Sequence, residues 1–251
     1  TSRRSQRFID VGREREASRG QYLDGSTYIT SGLFVEGEIT PRPWLTVRAG
    51  GRGALVGVRA PPDPESGSRA IGREMTALVA QAGVELRPLE PLTLQLNVDQ
   101  GFRAPNLDDL TSRQQVGPGF QFENADLSPE RSTTYELGVL TDLEWMRLDA
   151  WGFATMLDDA IQRVVREAED CPPETDQCRT SRNQFQLVNL EERARIFGAE
   201  GGVTFFLPEE VALRSTVSWA WGDGPNPGGR ITDPALLERG RLPLSRIPPL
   251  G

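Results

Sequence analysis

Histidine is absent from all 251 residues. The commonest general base and metal ligand is therefore missing, and no histidine-containing catalytic triad can form. Long apolar runs are absent too. None approaches the roughly 18 residues of a membrane-crossing helix, and mean hydropathy is −0.43. Basic clusters are lacking. The net charge is −8, the pI is about 4.9, and no basic stripe alternates with aromatics, which argues against a nucleic-acid partner. Aromatic residues make up only 7%. The two cysteines cannot complete a structural zinc site, and no metal or cofactor is expected. Gly117-Pro118-Gly119 lacks the Lys-Ser/Thr that would make a phosphate loop. The chain opens at Thr1, with neither an initiator Met nor a signal peptide, so a processed chain or a fragment is expected.

The chain does have turn formers, Gly 26 and Pro 19, and period-two alternation. Leu92, Leu94, Leu96, Val98, Gln100 and Phe102 share one parity; Thr93, Gln95, Asn97, Asp99, Gly101 and Arg103 share the other. Such a run is a strand with one apolar and one polar face. It extends about 12 residues, whereas soluble strands run five or six and a tilted membrane strand needs roughly nine to eleven. Similar alternation recurs from Ile29, Leu45, Leu78, Phe197 and Val211. A less regular run from Glu144 to Val165 puts Trp145, Trp151 and Phe153 on one parity with Arg147 and Asp149.

The connectors alternate in length. Short turns are expected at 41–43, 88–91, 141–143 and 207–210, and long polar loops at about 61–75, 104–132, 166–183 and 222–243. Short and long connections in alternation describe an up-and-down antiparallel meander. In outer-membrane barrels the short turns face the periplasm and the long loops face outward. The fold class is thus all-β, part of a large transmembrane barrel. About eight full strands run from Tyr28 to Gly222, and a further one begins near Leu242. Arg48, Arg52, Gln81, Glu85, Gln95, Asn97, Asp99, Arg103 and Glu136 are expected to face the lumen. Trp44, Trp145, Tyr135 and Phe206 are expected to form an interfacial girdle.

Gly101-Phe102-Arg103-Ala104-Pro105-Asn106-Leu107 precedes Leu127-Ser128-Pro129-Glu130, which runs on to Tyr135-Glu136-Leu137-Gly138. That order and spacing resemble the late-barrel segment of TonB-dependent outer-membrane receptors. Trp44 to Arg52, Ala82 to Pro88, Asp158 to Ile161, Asn189 to Glu200 and Pro243 to Pro249 resemble further segments of that family, in the family's order. The resemblance implies a Gram-negative outer membrane, lipid around the barrel, and TonB-driven uptake of a small-molecule or metal-chelate ligand such as siderophore-iron or cobalamin. Residues 1–251 would be a partial barrel. Family barrels have about 22 strands. The plug domain and the TonB-contacting segment are not visible, so TonB would act through a missing N-terminal region. The alternatives are a passive porin-like barrel or an adhesin and, third, an enzyme built on a barrel. No catalytic residues are expected.

Cys171 and Cys178 lie in a polar, Pro-rich stretch and are read as a small loop disulfide, with free thiols as the alternative. Arg103 and Glu130 are expected to lie within an ion-pair distance, roughly 4 Å, bridging the base of one outer loop. Candidate ligand-facing residues are Arg113, Gln114, Phe120 and Phe122. Asp158, Asp159, Glu167, Glu169 and Asp170 form an acidic group that is read as solvated charge or, alternatively, as an oxygen-ligand cation site.

Overall fold

A computed structural model describes residues 6–10, 13–17, 25–62, 69–173, 175–226 and 240–244. A two-stranded hairpin, β1 (Gln6–Asp10) and β2 (Arg13–Ala17), comes first. The wall follows as β3 (Thr27–Arg42), β4 (Leu45–Ala60), β5 (Ile71–Leu89) and β6 (Leu92–Arg103). A loop then holds the short helix α1 (Leu107–Thr111) and the strands β7 (Gln114–Val116) and β8 (Gly119–Phe122). The wall resumes with β9 (Glu130–Leu143) and β10 (Met146–Asp158). A second loop holds β11 (Ile161–Arg166), α2 (Asp176–Thr180) and β12 (Asn183–Asn189). β13 (Ala194–Leu207), β14 (Val211–Pro225) and β15 (Arg241–Pro243) complete the chain order.

Nine strands form one open antiparallel sheet in the order β15-β14-β13-β10-β9-β6-β5-β4-β3. Skipping β7, β8, β11 and β12, each strand pairs with its sequence neighbour. The eight long strands and a ninth near Leu242 match the alternation in the sequence.

The two faces separate cleanly. Register places Ile29, Leu33, Val35, Leu55, Leu78, Leu96, Leu137, Leu148, Val203 and Val217 on one face. Among the described residues, charged side chains on that face stand near its ends: Arg59, Glu74, Arg131, Asp158, Arg195, Asp223 and Arg241 at the loop end and Arg42 at the turn end. Leu33 is 81% exposed and Leu78 is 77% exposed, so no second layer covers them. An apolar surface this continuous is unsuited to water and matches a lipid-facing band.

The opposite face carries a polar ladder. Arg48 pairs with Glu38 at 2.6 Å and with Glu85 at 3.7 Å. Arg87 Nη2 and Gln95 Nε2 donate to Glu85, at 2.6 and 3.0 Å, and Asn97 Nδ2 donates to Glu136 at 3.4 Å. Side chains expected in the lumen therefore share one face.

Several expectations change in detail. The run from Glu144 to Val165 is two strands, because Asp159 adopts φ 55 and turns the chain into a different sheet. The connections are shorter than read: β5 already begins at Ile71 and β14 continues to Pro225. The long connections also carry secondary structure of their own. In the expected girdle, Phe206 falls on the polar face by parity, while its neighbour Phe205 is the apolar-face ring that stacks on Trp145, with centroids 6.4 Å apart. Tyr135 lies well up β9, away from the turn at Leu143. Ser245 to Pro249 of the last motif and residues 227–239 of the last loop lie outside the described residues.

Candidate functional site

Both large loops stand at the end of the wall opposite the short turns, and they build one structure together. β7 and β8 come from the first loop, β11 and β12 from the second. They form a four-stranded sheet in the order β11-β12-β8-β7. Its central seam, β8 against β12, is parallel, with Phe120 opposite Gln184 and Phe122 opposite Gln186. The seam is tied by side chains on both sides. Asn124 Nδ2 donates to Leu187 O at 2.8 Å, and Gln186 Nε2 donates to Glu123 O at 3.1 Å.

The base of this assembly is built by the motif residues. Pro105 stops β6 and holds Ala104 in extended backbone. Asn106 then caps α1: its Oδ1 accepts from the Asp109 backbone N–H at 2.9 Å, and Asp109 Oδ2 accepts from the Asn106 N–H at 3.0 Å. Arg103 donates to Asp109 Oδ2 at 2.8 Å and, through Nε, to Glu130 Oε2. The other oxygen of Glu130 accepts from the Ile161 backbone N–H at 2.6 Å. One carboxylate therefore links the end of β6, the start of β9 and the entry of the second loop. Asn189 closes the far side. It donates to Ser128 O at 2.9 Å and Asp159 O at 2.7 Å, and it accepts from the Ser128 N–H at 2.7 Å.

The first loop is also seated on the wall. Leu110 and Leu127 are fully buried among Val56, Val58, Ala60, Ile71 and Met75 of β4 and β5. Each such side chain contributes about 1.5–3 kcal/mol by leaving water. Arg73 donates to Ala125 O at 2.6 Å and Leu127 O at 3.4 Å.

The predicted ligand residues occupy unequal places. Phe120 and Phe122 are 4% and 3% exposed and pack on Cys171 and Cys178. Those cysteines form a disulfide with Cα atoms 5.9 Å apart. The Arg113 side chain is 4% exposed; it donates to Glu123 Oε1 at 3.2 Å and to Thr175 Oγ1. Gln114 is exposed on the edge strand β7, its Nε2 donating to Ser112 Oγ at 3.0 Å. The acidic group is dispersed. Asp158 takes two bonds from Arg193, at 2.7 and 3.1 Å, and Asp170 caps the Glu167 N–H at 3.1 Å. Hydrogen bonding to Asp158 and its charge hold the Arg193 guanidinium above the ordinary arginine range. Among the described residues no three carboxylates or thiols stand close enough to hold a metal ion.

Sequence reasoning assigned no contact to Asn189, Asn124 or Arg73. Asn189 lies inside a motif segment. For Asn124 and Arg73 the contacts depend on loop tertiary structure that alternation does not encode.

Comparison with known proteins gives a consistent picture. The family described as TonB dependent receptor-like, beta-barrel matches residues 4–250. No curated relative matches the chain by sequence. Among solved structures, the copper transporter OprC superposes with TM-score 0.67 at 18% identity, over 87% of this chain and 32% of that one. A double mutant of the Serratia marcescens hemophore receptor HasR, in complex with its hemophore HasA and heme, superposes with TM-score 0.63 at 17% identity, over 85% of this chain and 37% of that one. The FrpB iron transporter from Neisseria meningitidis (F3-3 variant) gives 0.54 at 14% identity, over 78% and 26%. The chain thus spans about a third of the length of these structures, and at such identities the likeness is one of fold.

Proposed function

The chain belongs to the TonB dependent receptor-like β-barrel family, whose barrels lie in the outer membrane of Gram-negative bacteria; from that premise we propose that it is barrel wall and outer loops of a receptor importing a scarce solute. The solute would be a metal chelate such as siderophore-iron, cobalamin or a similar small molecule, taken up with energy from TonB through a plug and an N-terminal region beyond this chain. In this reading residues 1–251 are a partial barrel without a plug. The observation that carries it is the pairing of an outer face whose middle is uncharged with an assembly of two loops at one end of the wall. The neighbours named for copper, heme and iron cargo support the class of solute and leave its identity open.

Ligand contacts are proposed on the loop assembly, with Gln114 at its exposed edge and Arg113, Phe120 and Phe122 holding the surface from beneath. The deciding experiment is uptake of labelled ferric siderophores, heme, copper and cobalamin by cells carrying or lacking the gene, with and without tonB. Uptake of one solute that needs both genes supports the proposal. Entry that persists without tonB, in proportion to external concentration, points instead to a passive pore.

A further inference from the structure

Two guanidiniums at the loop end of the apolar face keep donors free among the described residues. Arg131, near the start of β9, stands opposite Asp158 of β10. Arg193 takes both oxygens of that carboxylate, at 2.7 and 3.1 Å, and Arg131 instead lies over the Phe102 ring, 5.9 Å from its centroid. Arg195 of β13 stands opposite Asp223 of β14. Its Nε comes only to 3.6 Å from Asp223 Oδ1, too far for a hydrogen bond; Arg241 donates to that oxygen at 2.5 Å. Arg131 and Arg195 are separated by one strand and offset by two residues, about 12 Å between Cα atoms at ordinary strand spacing. Two extended arginines can close that span on a single oxyanion. All 28 basic residues of the chain are arginine, whose planar fork suits a phosphate.

Toward the turns, the apolar face beside Arg195 drops into a low strip. Ala154, Gly152 and Ala150 of β10 lie beside Phe197, Ala199 and Gly201 of β13. Leu137 and Val139 of β9 rise on one side, Trp219 and Val217 of β14 on the other. Packing within the chain does not call for the two glycines. Beyond its chain neighbours, a Cβ at Gly152 would meet nothing nearer than 4.0 Å, and one at Gly201 nothing nearer than 3.6 Å. The register is unbroken here, so no bulge accounts for them. Glycine inside a strand weakens it, and it often marks a place where something else approaches closely. Gly53 and Gly57 of β4 are open too, but Leu55 stands between them, 60% exposed.

We propose that Arg131 and Arg195 hold the phosphate of a membrane lipid, with one of its chains lying along the strip on β10 and β13. The two guanidiniums stand where the apolar band ends, the level at which a lipid passes from chain to headgroup. Their free N–H groups can make charge-assisted bonds to phosphate oxygens. The four residues from Ala154 to Ala150 give the chain about 14 Å of low floor. The site rests on the proposed reading of the apolar face as lipid-facing, and it holds whether or not the receptor imports a solute.

The test uses the full protein, purified in detergent and stripped of lipid. Native mass spectrometry reads its retention of dimyristoylphosphatidic acid, of dimyristoylglycerol, which lacks the phosphate, and of glycerol phosphate, which lacks the chains. One phosphatidic acid should be held at least tenfold more tightly than either fragment. The Arg131→Gln/Arg195→Gln double variant should weaken that retention at least tenfold, and so should Gly152→Leu, which fills the strip. Arg59→Gln, at the loop end of β4, should leave it unchanged, and matched thermal unfolding checks that all variants are folded. Equal retention of phosphatidic acid and diacylglycerol overturns the proposal, as does retention that the double variant or Gly152→Leu leaves intact. Glycerol phosphate held as tightly as the lipid would mean a free-anion site and overturns it too. Quenching of tryptophan fluorescence in vesicles of brominated phosphatidylcholine tests the lipid-facing reading separately. Quenching without retained phosphatidic acid removes the site and keeps that reading; absence of quenching removes both.

Discussion

Arg103 and Glu130 face one another at the end of β6 and the start of β9, and the second oxygen of Glu130 binds the Ile161 N–H at 2.6 Å. The pair is a junction between two loops rather than a surface decoration. Glu130→Ala should release all three elements. Because Arg103 is about half exposed, the charge pairing alone contributes only about 1 kcal/mol, and the lost hydrogen bond to Ile161 adds roughly as much. A double-mutant cycle with Arg103→Ala, read by thermal unfolding in detergent, should give a coupling near the first figure. A coupling of zero would show the contact to be incidental.

Leu127 is completely buried between the first loop and the wall. Leu127→Ala should cost about 2–4 kcal/mol. The loss should be local. Hydrogen exchange should quicken across residues 104–129 while the amides of β13 and β14 keep their protection. Uniform loss of protection would contradict this division.

The apolar face should reject charge and the polar face accept it. Leu78→Arg places a cation where lipid tails are expected, at a cost of about 2–4 kcal/mol near the midplane. Thr216→Arg, on the polar face of β14, should cost far less. The difference can be read as the denaturant midpoint for loss of the heat-modifiable folded band on gels. Equal costs would remove the assignment of faces.

Gly138 and Gly198 should respond differently to alanine. The obstacle at Gly138 is the Trp151 ring, which can swing away; at Gly198 a Cβ would also meet the Trp219 carbonyl at 2.8 Å, which is backbone. Gly138→Ala is therefore expected to assemble normally with an altered Trp151 emission. Gly198→Ala is expected to lower the yield of folded barrel severalfold. Normal yields from both would show that the wall yields at Gly198.

Cys171→Ser with Cys178→Ser should free the tip of the second loop at a cost of about 2 kcal/mol, the amount typical for a short cross-link. Proteolytic nicking should appear between residues 166 and 183, with the wall intact. Phe120 and Phe122 should become accessible at the same time, since the sulfur atoms are what they pack against.

Alternation makes the wall legible from residue order, because each strand has one apolar and one polar face. Leu92 through Arg103 reads without ambiguity for that reason. The rule fails where chain direction changes. Asp159 adopts a left-handed conformation that period two cannot signal, so β10 and β11 read as one strand. Phe206 reads as a girdle residue from its closeness to a turn, but its parity puts it on the polar face. The contacts of Arg103 and Glu130 were legible because a motif fixed both ends of one loop. The loop sheet was not, since pairing between β8 and β12 depends on two segments meeting through tertiary structure alone.

That parallel seam sets Phe120 beside Gln184, so if the loops face outward as proposed, neighbours on that surface come from distant stretches of sequence. An antibody recognising this patch would see a shape and not a peptide. Antisera raised against either segment in isolation should label denatured protein and miss living cells.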